Sequence, residues 1–331
     1  MERQNNNDVL KQLEEGVQSI FQSGKYQNYL NTLSKFTKYS TKNTILITMQ
    51  KPDATFVAGY CAWEKNFERH VKKGEEAIKI FAPCIKKKYV LQDILDEKGN
   101  VVLAADGTPV REKKEVGVPG YKIVNVYDIK QTEGKELPTL AKRLEGTVAG
   151  FEKLEKALVE FAPVPIVYEK ISNGANGYYD CETKKIVINT GMSNVQNVKT
   201  AVHEIAHALL HDGEDDMTRG EREVQAESIA YVVCQRYGID TSEYSLGYIA
   251  AWSAGKDVME LQNSMDTIRH TADVIITGID KELKGMEVHM AIENNSGEKA
   301  KSIGNAKTYT EPSPIEPGKY SAQKENCGRC L

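Results

Sequence analysis

Two histidines four residues apart, His203 and His207, with Glu204 beside the first, form the part of this 331-residue chain best suited to chemistry. They lie in Thr200-Ala201-Val202-His203-Glu204-Ile205-Ala206-His207-Ala208-Leu209-Leu210, where Val202, Ala206, Leu209 and Leu210 recur at helical intervals. Residues four apart on a helix share one face and stand about 6 Å apart along the axis, so both imidazoles can reach one zinc ion at about 2.1 Å. Glu204 is then placed to take a proton from water held by that ion, the H-E-x-x-H arrangement whose chemistry is peptide hydrolysis.

The remaining ligand must come from elsewhere. His211 continues the same face but lies about 12 Å along the axis from His203, too far for both to bind one ion. In Arg222-Glu223-Val224-Gln225-Ala226-Glu227-Ser228-Ile229-Ala230, Glu223 and Glu227 lie one helical turn apart. Glu223 is the expected ligand. Glu227 is expected to hydrogen-bond a ligating histidine from behind, with the role of ligand as its alternative. Zn2+ is the expected metal, another divalent ion being compatible with the same donors. His211, His70, His270 and His289 are assigned to the surface or the core. Lys185 to Asn189, directly before the metal helix, is a candidate strand on which an extended peptide could be added.

The elements that must position these residues can be read from periodicity. Residues 8–34 read as two helices broken near Ser23-Gly24, and 41–49 as a third. A strand at Thr55 to Tyr60 leads into a short helix around Trp63, and strands follow at 77–82 and 121–127. The 38 residues between those strands carry turn signals at Lys98-Gly99-Asn100 and Asp106-Gly107-Thr108-Pro109, which predicts an extended hairpin or mobile insertion over 84–120. A linker-like stretch at 131–138 suggests a boundary. Beyond it come a helix at 145–160, a strand at 166–168 and a hairpin through Asn173 to Gly177 that leads to the strand 185–189. Helices at 194–212, 219–237 and 258–283 complete the reading. The fold class is α+β in two domains, 1–138 and 145–285, followed by a polar tail, 286–331, expected to be disordered.

Charge is distributed unevenly. Residues 1–140 hold 22 basic against 18 acidic side chains, and the remainder 21 against 29. Within 35–88 the balance is 12 to 5, the electrostatic footprint expected for a polyanion. That window interleaves Tyr39, Phe56, Tyr60, Trp63 and Phe67 with Lys38, Lys42, Arg69, Lys72 and Lys73, a mixture suited to pairing phosphates and stacking bases. Tyr39, Trp63, Lys72 and Lys73 are the foremost candidates, and Phe56 and Phe67 are assigned to the core. No apolar run approaches the ~18 residues needed to span a bilayer, and the start of the chain lacks the apolar stretch of a secretory signal. Four of the six cysteines are isolated in apolar or strand-like surroundings, while Cys327 and Cys330 form one CxxC in the tail. The cytoplasm is the expected location, without a membrane partner, and the oligomeric state stays open.

The segment from Gly177-Tyr178-Tyr179 through Ile186-Val187-Ile188 to His203-Glu204-Ile205-Ala206-His207, with Glu223 to Ala230, resembles the zincin-like metallopeptidase domain of ArdC-type antirestriction proteins. It is more distantly similar to the ImmA/IrrE peptidases. The N-terminal part resembles the same proteins at Tyr39-Ser40, Asn43, Leu46-Ile47, Gln50, Pro52, Gly59-Tyr60, Trp63, Val71 to Glu75 and Val126 to Ile129. The resemblance implies a single-stranded-DNA-binding domain, with Asn43 joining Arg69 of the basic window among the candidate DNA contacts, joined to a zinc metallopeptidase-like domain. It further implies a protein of conjugative or integrative mobile elements that shields incoming single-stranded DNA from restriction. Cleavage of a regulatory or restriction protein, with the N-terminal domain as the DNA-targeting module, is the alternative.

Overall fold

The computed structural model describes residues 6–22, 25–137, 148–172, 174–213, 217–239 and 249–297. Cys327 and Cys330 lie outside these residues. The chain opens with α1 (Asn6–Gln22), α2 (Tyr26–Leu33) and α3 (Thr41–Gln50), then β1 (Val57–Gly59), α4 (Tyr60–Phe67) and β2 (Arg69–Val71). Two long strands follow, β3 (Ile78–Asp93) and β4 (Arg111–Asp128), then the short β5 (Thr132–Gly134). After them come α5 (Val148–Phe161), β6 (Ile166–Glu169), β7 (Gly177–Asp180), β8 (Lys185–Asn189), α6 (Asn194–Leu210), α7 (Arg219–Arg236), α8 (Ile249–Ser253) and α9 (Val258–Gly297). The class is α+β.

Among the described residues, those up to 79 and from 125 onward belong to one compact unit and 80–124 to another. In the first unit, helices from both ends of the chain share a core. Tyr26 and Ser228 exchange a buried hydroxyl hydrogen bond of 2.9 Å, and the Tyr231 hydroxyl donates to Asn31 Oδ1 at 2.8 Å. Lys38 pairs with Asp273 at 3.0 Å, and Arg269 donates to the Thr37 carbonyl. The apolar faces of α1 and α2 (Val9, Leu13, Val17, Tyr29, Leu30) and of α7 and α9 (Val224, Ile229, Met265, Ile268) are all at most 3% exposed. Removing that much apolar surface from water is the main stabilising contribution to this unit.

The second unit is the hairpin of β3 and β4, the extended alternative of the two readings of 84–120. Its far end folds back through bridges at Leu95↔Val101 and Leu103↔Pro109, with Gly99 and Gly107 at positive φ in the turns. Ile85, Tyr89, Leu91 and Tyr121 are 62–70% exposed, so the strands carry no apolar core of their own.

Three expectations require correction. The hairpin predicted to run from β6 into β8 contains an intervening strand. The sheet order is β6-β8-β7, with β6 parallel to β8 (Ile166↔Ile186) and β7 antiparallel to it (Gly177↔Ile188). Strand β8 is therefore paired on both sides, as the fully buried run Ile186-Val187-Ile188 requires of a central strand, and it has no free edge for an added peptide. Helix α9 continues to Gly297, past the expected end near 283, because Met286-Glu287-Val288-His289-Met290-Ala291 is rich in good helix formers.

Candidate metal centre

Helix α6 starts where Ser193 Oγ accepts the Gln196 N–H, and α7 where Thr218 and Glu221 form a reciprocal capping box. The two helices pack closely against each other, and each buries small residues, Ala201 and Ala206 on α6 and Ala226 and Ala230 on α7, all at most 2% exposed. That packing brings His203, His207 and Glu223 together. His203 Nε2 and His207 Nε2 are 3.0 Å apart, and Glu223 Oε2 lies 3.5 Å from the first and 3.8 Å from the second. In a tetrahedral site with ligand bonds of about 2.1 Å, neighbouring donor atoms stand about 3.4 Å apart. The triangle of 3.0, 3.5 and 3.8 Å brackets that value, so the three donors fit a single ion of zinc size without rearrangement. Among the described residues this is the group of histidines, cysteines and carboxylates that converges in this way.

The surrounding polar groups orient the donors. Glu227 Oε2 lies 3.2 Å from His203 Nδ1, the ring nitrogen opposite the one facing Glu223, and is outside the group whose ligand atoms converge. His203 is largely buried, which opposes its charge, but the Glu223, Glu227 and Glu204 carboxylates outweigh burial and raise its pKa to about 10. Glu223 is held well below the usual carboxylate range, first of all by hydrogen bonding from the His203 ring. A proton thus sits among these groups when no metal does, and metal binding must displace it.

Glu204 is 7% exposed. Burial raises its pKa, against the lowering influence of His203 and His207 and of a hydrogen bond from the Tyr179 backbone N–H. Strand β7 reaches it because Gly177 lies flat on α6. A Cβ at residue 177 would stand 2.6 Å from Thr200 Cγ2 and 2.9 Å from the Val187 carbonyl oxygen. The sequence placed Gly177 and Tyr179 in the stretch that resembles a metallopeptidase domain but gave neither a contact, since their role depends on the strand order. Sequence reading also set His211 aside, yet His211 is 8% exposed and its Nδ1 lies 2.9 Å from His207 Nδ1. The same i, i+4 spacing that pairs His203 with His207 signalled this neighbour.

The candidate DNA contacts do not form one surface. Trp63 is fully buried, its ring packed at 5.5 Å on Phe56 and 5.2 Å on Phe67, and its N–H donates to the Tyr127 carbonyl at 2.9 Å. It presents no face for stacking, which corrects that expectation. Arg69 is 9% exposed and its guanidinium serves Thr132 Oγ1 and the carbonyls of Thr132, Gly134 and Lys135, tying β2 to β5 and leaving no fork for a phosphate. Asn43 is buried in the first turn of α3, below the Ser40 cap. Tyr39 is half-buried against Phe36, its hydroxyl donating to the Val57 carbonyl. Lys72 and Lys73 are exposed. The aromatic faces that reach solvent here are Phe56, 40% exposed and expected in the core, and Tyr60, 51% exposed.

Comparison with known proteins gives two family matches. Residues 2–127 match the N-terminal domain of anti-restriction factor ArdC, and residues 123–219 match the family described as "Putative metallopeptidase family (DUF6782)". A Bacillus anthracis protein described only as uncharacterised is 30% identical over 306 residues, which covers 82% of this chain and 50% of that protein. The chain therefore spans about half the length of this curated relative. Two crystal structures of the antirestriction protein ArdC from the R388 plasmid are similar at 16% identity. The metal-free form has a TM-score of 0.45 over 73% of this chain and 86% of that one, and the Mn(II)-bound form 0.41 over 75% and 84%.

Proposed function

For a chain that joins the N-terminal domain of ArdC anti-restriction factors to a metallopeptidase-family segment, we propose an antirestriction-type protein that binds single-stranded DNA and holds one divalent ion, zinc by donor chemistry, between His203, His207 and Glu223. The observation that carries the metal reading is the donor triangle of 3.0, 3.5 and 3.8 Å. On the DNA side, support comes from the family match and from an exposed strip that replaces the buried candidates. Lys72 Nζ donates to the Lys130 carbonyl and the Ile129 N–H donates to the Phe56 carbonyl, so Lys72 and Phe56 adjoin, with Tyr60 on the following helix and Lys73 beside Lys72, while the Lys130 ammonium is paired with Asp53 at 3.0 Å. Cations for phosphates and open rings for bases then occur together. Protection of incoming single-stranded DNA in the cytoplasm follows as the biological setting.

The test uses the full chain, because α1–α3 share their core with α7 and α9. Fluorescence anisotropy with single- and double-stranded oligonucleotides across a salt series should show single-strand binding whose log K falls with log salt by about 0.7 per phosphate contact. Equal affinity for both forms, or no binding, would remove the DNA part of the proposal.

A second reading, working peptidase chemistry, is favoured by Glu204. Three protein donors leave a fourth position open, as catalytic rather than structural zinc sites do. A divalent ion held by His203, His207 and Glu223 would supply Lewis acidity toward water and a peptide carbonyl. Glu204, its carboxylate oriented by the Tyr179 N–H, would take a proton from the water whose oxygen bonds to the peptide carbonyl carbon and pass it to the amine nitrogen that leaves as the C–N bond breaks. The outer edge of β7, unpaired in the sheet and adjacent to α6, is the place for an extended substrate. Glu204→Gln should keep the metal and lower peptide hydrolysis about 10²- to 10⁴-fold. An unchanged rate would assign the centre a structural or regulatory role.

A further inference from the structure

The buried chain behind His207 runs His207 Nδ1 to His211 Nδ1 at 2.9 Å, His211 Nε2 to Gln225 Oε1 at 3.3 Å, and Gln225 Nε2 to Ser264 Oγ at 3.5 Å. Its last three members are 6–9% exposed and come from three elements, the end of α6, the middle of α7 and the first turns of α9. We infer that His211 and Gln225 are positioning residues for the metal, which fix the tautomer of His207 so that its Nε2 lone pair faces the ion. This rests on the metal reading above.

The inference follows from donor and acceptor capacity. An amide oxygen only accepts, so with Gln225 Oε1 facing it, His211 Nε2 must carry hydrogen. A neutral His211 then has its lone pair on Nδ1, and the hydrogen bond at 2.9 Å must be donated by His207 Nδ1–H. His207 Nε2 is left unprotonated, pointing at His203 Nε2 and Glu223. In this orientation the Gln225 amide also donates its N–H to Ser264 Oγ, at 3.5 Å. The reversed amide would reverse every proton in the chain and place one on His207 Nε2, where it would block the ion. His203 is oriented by a different device, donating Nδ1–H to Glu227. The two ligands thus have different partners, a carboxylate for one and a neutral histidine–amide relay for the other. The second adds no negative charge near the ion and ties its geometry to α9.

The experiment has two readouts on the full chain labelled with 15N-histidine. In the metal-free protein, long-range 1H–15N correlations report the tautomers, and competition against a chromophoric chelator reports zinc affinity. Wild-type protein should show His207 protonated on Nδ1 and His211 on Nε2. His211→Leu and Gln225→Leu should each move His207 toward the Nε2–H form and weaken zinc about 10- to 100-fold. His211→Asn, whose Oδ1 falls close to the position of the imidazole Nδ1, should retain the His207 tautomer and most of the affinity. An Nε2–H His207 in the wild type, unchanged affinity in both leucine variants, or equal losses in His211→Asn and His211→Leu would each overturn the inference. Failure of the wild type to bind zinc would sink the metal reading instead, and the tautomers would still decide the relay.

Discussion

The metal centre between α6 and α7 and the aromatic cluster around Trp63 both bury polar groups, and they do so to opposite ends. Around Trp63 each buried donor meets an acceptor. The indole N–H has the Tyr127 carbonyl, and the Arg69 guanidinium has Thr132 and the carbonyls of Gly134 and Lys135. Nothing is left over for a ligand. Between α6 and α7, three ligand atoms that all act as acceptors when unprotonated face one point, and they are tolerated there only with a proton or a cation among them. Saturated pairing marks a structural cluster and converging acceptors mark a binding site. This distinguishes the two regions better than residue type, since Trp and Arg are ordinary nucleic-acid contacts and histidines are ordinary core residues.

The comparison can be broken most forcefully at Trp63. If its role is packing, Trp63→Ala should destabilise the protein by about 3–5 kcal/mol in chemical denaturation. Fully folded protein with normal stability and lost DNA binding would mean that the ring works at a surface. Next comes Arg69→Ala, expected to cost about 2–3 kcal/mol because buried carbonyls lose their charged donor. Lys72→Ala with Lys73→Ala should instead leave stability within about 0.5 kcal/mol and lower the salt slope of single-strand binding by about 1.4, at 0.7 per phosphate. A double variant with an unchanged slope would move the DNA contacts elsewhere.

The smallest expected effect is the pH dependence of the metal-free centre. His203 has a folded-state pKa of about 10 against an ordinary value of 6.5, so the folded state holds its proton more tightly than the unfolded chain. The stability this contributes is fully present below about pH 6.5 and is lost as pH rises towards about 10. Thermal midpoints measured in chelator should therefore fall across that window, and His203→Gln should flatten the curve. A wild-type midpoint that holds steady over the window would mean that the carboxylates do not retain the proton.

Gly177 links the site to the fold. With no room for a Cβ, Gly177→Ala must push β7 off α6 and draw the Tyr179 N–H away from Glu204. Peptide hydrolysis should fall more than metal affinity. Equal losses in both would show that the strand supports the donors and not Glu204.

By itself the sequence determined that His203 and His207 face one way, that Glu204 stands beside them and that carboxylates at helical spacing follow on the next helix. Those relations are set within a few turns of helix, where a fixed rise and twist leave little choice. It also carried the helix starts at Ser193 and Thr218, whose capping chemistry is local. Only the tertiary structure decided that β8 is central and β7 the free edge, and that Trp63 and Arg69 lie inside. It alone decided that His211 reaches Gln225. The partners concerned are 64, 63 and 14 residues away from Trp63, Arg69 and His211. Burial and hydrogen-bond choice at such separations depend on which distant segments meet, and no local periodicity encodes that.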